Sequence, residues 1–355
     1  MTLADVLRRH GPHYLRKYGS RMPASHRAAI DAILRCHTPA CGGSLYSCDD
    51  CGNQHFAYHR CGNRACPQCG HAHAQAWLEA QTERLLPVGY FLVTFTIPEP
   101  LRALFRANQR VCYDLLFSES ATALGDVARQ PRSLGGDLGL LGVLHTWTRQ
   151  LVYHPHIHYL VPGIALCEDG TLGFPKDPEY LVPVPRLSAR FRTRLRARLL
   201  AEHPALYEQV PKEVWRQAWV VHCQHAGRGK EALSYLSRYI YKTAISSTRL
   251  ISQDDQSVTF SYRESGTGEE RIATLPAEEF LRRFLQHVLP RGFRRVRSYG
   301  WLSPAAKKRF EQVCIQLNAS CTPKPMRLKI VIARVECPHC KKAMRRIAEF
   351  NRAPT

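Results

Sequence analysis

Seven cysteines fall within residues 36–69, and this density constrains the fold more than any other feature of the chain. Two Cys-x-x-Cys pairs, Cys48 with Cys51 and Cys66 with Cys69, are separated by fourteen residues. In zinc ribbons, two such turns supply four thiolates to one tetrahedral ion. The sequence therefore predicts a zinc-ribbon-like domain near the amino terminus, in which both pairs bind the same Zn²⁺.

Other ligands in the same segment leave the exact coordination open. Four further residues would allow a second ion or a different choice of ligands: Cys36, Cys41, Cys61 and His55. We expect the zinc ligands to come from six residues: Cys36, Cys48, Cys51, Cys61, Cys66 and Cys69.

One more Cys-x-x-Cys pair, Cys337 and Cys340, stands near the carboxyl end. A single pair cannot complete a tetrahedral site, so it needs two further ligands. Cys314 and Cys321 are the candidates that we place first.

The charge of the chain points to a polyanionic partner. Lys and Arg number 50 against 29 Asp and Glu, which gives a formal net charge of +21 spread along a chain of ordinary hydrophobic content. Such an excess is typical of proteins that bind nucleic acid.

Neither a membrane span nor a signal peptide is visible. No stretch approaches the ~20 apolar residues that cross a bilayer, and the first ten residues lack a secretory apolar core. We therefore expect a cytoplasmic, nucleoid-associated protein with no membrane partner. In that reducing compartment the cysteines are expected to be metal ligands or buried thiols.

Residues 152–161 contain a His-x-His pair in a β-branched and aromatic run. His156 and His158 would share one face of a strand, while Ile157 faces the other side, so both imidazoles can reach one divalent cation. His154 continues the alternation, although Pro155 indicates that regular pairing begins only after it. The third ligand is open, with His154 placed first among four candidates: His154, His222, Gln224 and His225.

Tyr235 and Tyr239 stand four residues apart in a stretch with helical spacing, so their phenols would share one helix face. A phenol has a pKa near ~10, yet it can attack a phosphodiester when a metal ion polarises the phosphate. The resulting phosphotyrosine stores the bond energy, so strand transfer needs no nucleotide cofactor. Each motif alone is more typical of a structural role; their combination indicates catalysis.

A basic amphipathic helix is predicted at residues 186–200. Its apolar residues would pack inward, and its arginines form a stripe that either follows a DNA backbone or is a solvated face. The stripe consists of Arg186, Arg190, Arg194 and Arg198. We interpret residues 168–215 as an insertion or lobe outside the core.

Apolar periodicity elsewhere predicts an α+β fold. Residues 139–147 and 151–161 are expected to pair as antiparallel strands. Strands are also expected at 90–97, 218–223 and 258–262, and helices at 3–18, 25–36 (capped by Ser25), 74–86, 101–116, 231–243 and 276–288. We predict three domains: 1–86 with the zinc site, 87–302 with the sheet and the insertion, and 303–355 with a helix and the last cysteine pair.

Five segments together resemble the rolling-circle transposases of the insertion-sequence-91 family, which belong to the HUH endonucleases. They are Phe-Leu-Val-Thr-Phe-Thr-Ile-Pro (91–98), Val-Leu-His-Thr-Trp (143–147), His-Pro-His-Ile-His-Tyr-Leu-Val-Pro-Gly (154–163), Tyr-Leu-Ser-Arg-Tyr (235–239) and His-Val-Leu-Pro-Arg-Gly-Phe (287–293). The cysteine segment resembles the zinc-binding domain that precedes the nuclease in that family. The resemblance spans nearly the whole chain.

This resemblance implies a specific chemistry. An HUH antiparallel sheet would hold His156 and His158 as ligands of Mg²⁺ or Mn²⁺, and Tyr235 and Tyr239 would cleave single-stranded DNA of the element ends and the target. The products would be a 5′-phosphotyrosine and a free 3′-hydroxyl. The alternatives are a plasmid rolling-circle replication initiator or relaxase, and a non-catalytic zinc-ribbon DNA-binding protein. The sequence leaves the oligomeric state open.

Overall fold

A computed structural model describes residues 1–69, 77–231, 233–234, 243–264, 266–319 and 335–352. The chain forms two compact units, the first made of residues 1–73, 241–288 and 327–355, and the second of residues 74–240 and 289–326. The expected limits at residues 86 and 302 do not coincide with this division, because the carboxyl-terminal tail and residues 241–288 belong to the first unit. Helices are mixed with antiparallel strands, so the α+β class is confirmed.

The helices are α1 (Leu3–Tyr18), α2 (Ala24–Arg35), α3 (Arg102–Ala107), α4 (Gln109–Ala128), α5 (Val184–Glu202), α6 (Pro204–Tyr207), α7 (Ala277–Leu285) and α8 (Lys307–Gln316). The strands are β1 (Gly43–Ser47), β2 (Gln54–Tyr58), β3 (Tyr90–Thr96), β4 (Asp137–Trp147), β5 (Tyr153–Pro162), β6 (Ala165–Leu166), β7 (Leu172–Gly173), β8 (Val221–His225), β9 (Leu250–Gln253), β10 (Ser257–Arg263), β11 (Glu270–Pro276), β12 (Val296–Gly300) and β13 (Arg345–Phe350). None of these helices has the length and apolar character needed to cross a membrane.

The second unit is built on one antiparallel sheet with strand order β7-β6-β4-β5-β3-β8, and β12 also pairs with β4. Strands β4 and β5 pair antiparallel, as the sequence predicts. Alternate residues of β3, β4 and β5 are buried in the main core beside α4 and α5. Phe95 of β3 and Ile157 and Tyr159 of β5 are examples. The opposite face of the same strands carries the histidines, because side chains alternate along a strand.

Helix α5 is part of that core, so the interpretation of residues 168–215 as a lobe outside it is wrong. Four side chains spaced along the helix are buried in the main core: Leu187, Phe191, Leu195 and Leu199. Phe191 packs edge-on against Phe95 of the sheet, with ring centroids 5.1 Å apart. Burying such a side chain contributes roughly 1.5–3 kcal/mol, which ties the helix to the sheet.

The first unit contains two three-stranded sheets, β13-β1-β2 and β11-β10-β9. Helix α1 begins with a capping box, in which the Thr2 hydroxyl accepts from the Asp5 amide and the Asp5 carboxylate accepts from the Thr2 amide. The cap predicted for α2 at Ser25 is wrong. That helix begins at Ala24 directly after Pro23, which places Ser25 inside the first turn.

Candidate metal centres

Three histidines meet on the polar face of the central sheet. The register of β4 and β5 places His145 opposite His156, and His158 follows two residues later on the same face. One ring nitrogen from each of the three lies within 4.8 Å of the others. This spacing lets the three imidazoles contact a single ion.

His154, which we expected to be the third ligand, lies outside this group. His145 is the third histidine instead. The pairing of β4 and β5 shifts register between His145 and Trp147, next to His154 and Pro155. The His154 ring is 5.2 Å from that of His156, while its backbone carbonyl accepts a hydrogen bond from His156 Nδ1 at 2.7 Å. His154 therefore orients a histidine through its backbone.

Hydrogen bonds orient two of these histidines through Nδ1. A carbonyl can only accept, so His156 Nδ1 carries the proton and Nε2 keeps its lone pair. Thr94 Oγ1 lies 2.7 Å from His158 Nδ1 and orients that ring through the same nitrogen. Metal-binding histidines are characteristically oriented through the nitrogen that does not bind the metal.

The environment keeps these imidazoles neutral at pH 7. His145 and His158 are 2% and 8% exposed. Burial lowers the pKa of His145 well below its usual value, and lowers the pKa of His156 to about 4 and that of His158 to about 3. Neutral nitrogen donors bind first-row transition ions such as Mn²⁺ more readily than Mg²⁺, which prefers oxygen. Of the two ions expected, Mn²⁺ fits the donors better.

The other proposed third ligands lie apart from the group. His222 is opposite Thr94 on β8 and Gln224 is opposite Leu92, so both share the polar face, but both are exposed and outside the cluster. His225 points to the other face, where it contacts Glu179 at 3.0 Å.

The two tyrosines predicted to be nucleophiles, Tyr235 and Tyr239, lie outside the described residues. Residues 230, 231, 233 and 234 immediately before them are helical, in line with the helix expected from residue 231.

Trp147 and Arg295 lie beside the histidines. The Trp147 ring stacks on His145 at 5.8 Å, and the Arg295 guanidinium lies 4.7 Å from the Trp147 ring. Arg295 Nε donates to the Leu144 carbonyl at 3.0 Å, which holds the cation against strand β4. A positive charge and an aromatic ring therefore border the imidazole cluster.

Eight of the described cysteines form two groups of four, so the prediction that the two amino-terminal pairs share one ion is wrong. Cys66 and Cys69 lie with Cys36 and Cys61, and their sulfur atoms are within 4.8 Å of one another. Cys48 and Cys51 instead lie with Cys337 and Cys340. Cys41 and His55 belong to neither group. The last pair therefore lies with Cys48 and Cys51; Cys314 belongs to neither group, and Cys321 lies outside the described residues.

Comparisons with known proteins agree with this arrangement. Residues 6–97 match the family described as "Transposase zinc-binding domain", and residues 139–309 match the family described as "Putative transposase". The protein named "Putative transposase y4qJ" of Sinorhizobium fredii is 35% identical over 91% of this chain and 85% of its own length. The chain belongs to the IS91 family of transposases. The "Transposase for insertion sequence element IS801" of Pseudomonas savastanoi is 30% identical over 77% of this chain and 69% of its own length. No solved structure matches the chain.

Membership decides between the functional classes. The protein is a zinc-binding transposase that acts on DNA, rather than a plasmid replication initiator or a relaxase. The three histidines fall within residues 139–309, the segment that matches the transposase family.

The arginine stripe of the transposase faces acidic residues of its own chain. Arg190 and Arg194 contact Asp126 at 2.7 and 3.0 Å, and Arg194 also contacts Glu119 at 3.2 Å. Arg198 lies 3.6 Å from Glu119, and Arg186 donates to Gln130 at 2.5 Å. Three of these four side chains therefore hold α5 against α4, and their charge is largely balanced within the protein.

Proposed function

We propose that this transposase cuts and rejoins single-stranded DNA at the ends of its element through a tyrosine–DNA intermediate. The observation that carries the proposal is the cluster of His145, His156 and His158 on one sheet face. Three neutral imidazoles, two of them oriented by hydrogen bonds, suit a divalent cation. The chain approaches its predicted nucleophiles in helical form at residues 233–234. Single-stranded DNA of the element ends and of the target would be the substrates.

The histidines would hold Mn²⁺ or Mg²⁺. When bound, such an ion polarises the scissile phosphate and stabilises the charge that develops on it. His154 and Thr94 would keep the rings of His156 and His158 aimed at the ion through the hydrogen bonds described above.

Tyr235 and Tyr239 would be the nucleophiles. A phenol oxygen forms a bond to phosphorus while the bond from phosphorus to the 3′ oxygen breaks, so the DNA 5′ end becomes esterified to the enzyme. The phenol loses one proton and the departing 3′ oxygen gains one. Attack by a 3′-hydroxyl on the phosphotyrosine reverses these steps and joins a new strand.

Arg295 and Trp147 would contact the DNA next to the scissile bond. A guanidinium near the cluster can bind a backbone phosphate, and an indole can stack on an unpaired base. This role suits single-stranded DNA, because only unpaired bases expose their faces.

The test is a covalent adduct. Full-length protein, Mn²⁺ and a 3′-labelled single-stranded oligonucleotide from the sequence flanking the gene are mixed and resolved on a denaturing gel. We expect label to migrate with the protein only when a divalent cation is present. Tyr235→Phe with Tyr239→Phe should abolish the adduct, and Tyr262→Phe, a half-buried phenol on β10, should not. An adduct that survives the double substitution, or that forms in the presence of a chelator, contradicts the proposal.

A further inference from the structure

The group of Cys48, Cys51, Cys337 and Cys340 joins two distant parts of the chain. The first two lie within the matched zinc-binding domain of residues 6–97, and the other two lie far outside it. We propose that these four cysteines bind a zinc ion of their own, which fastens residues 335–352 to the amino-terminal residues of the same unit. The transposase would then carry two zinc ions in that unit.

The sulfur positions fit a tetrahedral zinc site. Cys48 Sγ lies 3.4 Å from Cys340 Sγ, and Cys51 Sγ lies 3.6 Å from Cys337 Sγ. With Zn–S bonds of about 2.3 Å, tetrahedral geometry requires sulfur atoms about 3.8 Å apart. The four thiols are thus close to the spacing that one Zn²⁺ imposes.

Both cysteine pairs have the same local backbone. The amide of Gly52 donates to the Cys48 carbonyl at 2.9 Å, and the amide of Lys341 donates to the Cys337 carbonyl at 2.9 Å. Gly52 and Lys341, each directly after the second cysteine, have φ values of 71° and 64°. This conformation is unfavourable for lysine, so the surroundings of Lys341 must hold it there. Two matching turns face each other and point their thiols at one centre.

Apart from the backbone pairing of β13 with β1, few buried side chains hold the carboxyl-terminal segment in place. Five of the six residues of β13 are exposed, and the buried cluster around the thiols contains Cys48, Cys337 and Met344. The ion pairs of Lys342 with Asp50 and of Arg345 with Asp49 are well exposed, and exposed pairs contribute little. A segment with so small an apolar core depends on its metal ion for folding, as small zinc domains do.

Zinc content and thiol protection test this inference on the full-length protein. We expect two zinc ions per chain by native mass spectrometry. Cys337→Ser with Cys340→Ser should leave one, and tryptic cleavage after Arg345 or Arg346 should become at least tenfold faster. Cys167→Ser with Cys223→Ser, which changes cysteines outside both groups, should retain two ions and the slow cleavage. Two ions in the Cys337/Cys340 variant overturn the proposal.

A second measurement avoids substitution altogether. N-ethylmaleimide modifies accessible thiols that are not bound to metal, and Cys51 is exposed while Cys340 is partly exposed. In the zinc-loaded wild type both should resist modification, and a chelator should make both reactive. Rapid labelling of Cys51 and Cys340 while Cys66 and Cys69 stay protected would overturn the second zinc site and leave the first intact.

Discussion

His145 on β4 stands directly across from His156 on β5, so a residue outside the His-x-His motif completes the imidazole cluster. The centroids of the two rings are 5.1 Å apart, and the ring planes are nearly perpendicular. Because neighbouring strands fix this pair, the cluster is part of the sheet.

Replacing His145 tests its role as the third ligand. His145→Ala removes one of three imidazoles, and we expect adduct formation with single-stranded DNA to fall at least about 100-fold. His154→Ala keeps the carbonyl that orients His156, so its rate should stay within about tenfold of wild type. The reverse order of effects would restore His154 as the ligand.

Thr94 should act on the ion through His158. Thr94→Val removes the hydroxyl bonded to His158 Nδ1 while preserving shape, and we expect Mn²⁺ affinity to weaken about 10–100-fold. Calorimetric titration with Mn²⁺ measures this. Thr259→Val, at a half-buried threonine on β10, is the matched control and should bind Mn²⁺ as wild type does. Equal affinity in both variants would rule out the orienting role.

Arg194 should matter for stability. Its partner Glu119 has a side chain only 3% exposed, and Arg194→Ala leaves that buried carboxylate with fewer charged partners. We expect urea unfolding to show a loss of about 1–3 kcal/mol. Arg186→Ala loses a bond to the neutral Gln130 and should cost less than about 1 kcal/mol. If Arg194→Ala weakens DNA binding with unchanged stability, the stripe is a DNA contact after all.

Glu278 should give the first unit an acid-dependent contribution to stability. Hydrogen bonds from Lys17, Tyr18 and His13 lower the pKa of Glu278 to about 2 from its ordinary value of 4.5. A carboxyl with a lowered pKa stabilises the fold above its unfolded pKa, and this contribution is lost as pH falls from 4.5 toward 2. Glu278→Gln should therefore lower Tm slightly at pH 7 and leave it unchanged near pH 2. Thermal scans at both pH values check this, and an equal decrease at pH 2 would contradict the ionic origin.

Local patterns in the sequence predicted the elements well, and the pairings that depend on distant residues were harder to predict. Alternation around Ile157 correctly indicated one face for His156 and His158, and the short turn before β5 correctly indicated an antiparallel pair. His145 could have been found by aligning that pair, because it is the histidine of β4 that falls opposite the motif. The register shift near Pro155, which removes His154 from the group, depends on three-dimensional pairing.

For the cysteines, too, the local turns could be predicted and the pairing of distant turns could not. All three Cys-x-x-Cys turns have the same spacing, so distance along the chain favours pairing of neighbours and gives no sign of a distant partner. What decides the grouping is the pairing of β1 with β13, in which Gly43 lies opposite Phe350. The acidic partners of the arginine stripe were missed for a similar reason, since Glu119 and Asp126 come from a different helix.

The pairing of β1 with β13 also sets an order of events during synthesis. A ribosome adds roughly 5–20 residues per second, so the ~300 residues between the two strands take roughly 15–60 seconds to appear. Throughout that interval one edge of β1 has no strand to pair with. Cys48 and Cys51 also lack their partners Cys337 and Cys340, which have not yet been translated. Translation that ends before residue 345 therefore yields a protein in which β1 lacks its β13 neighbour.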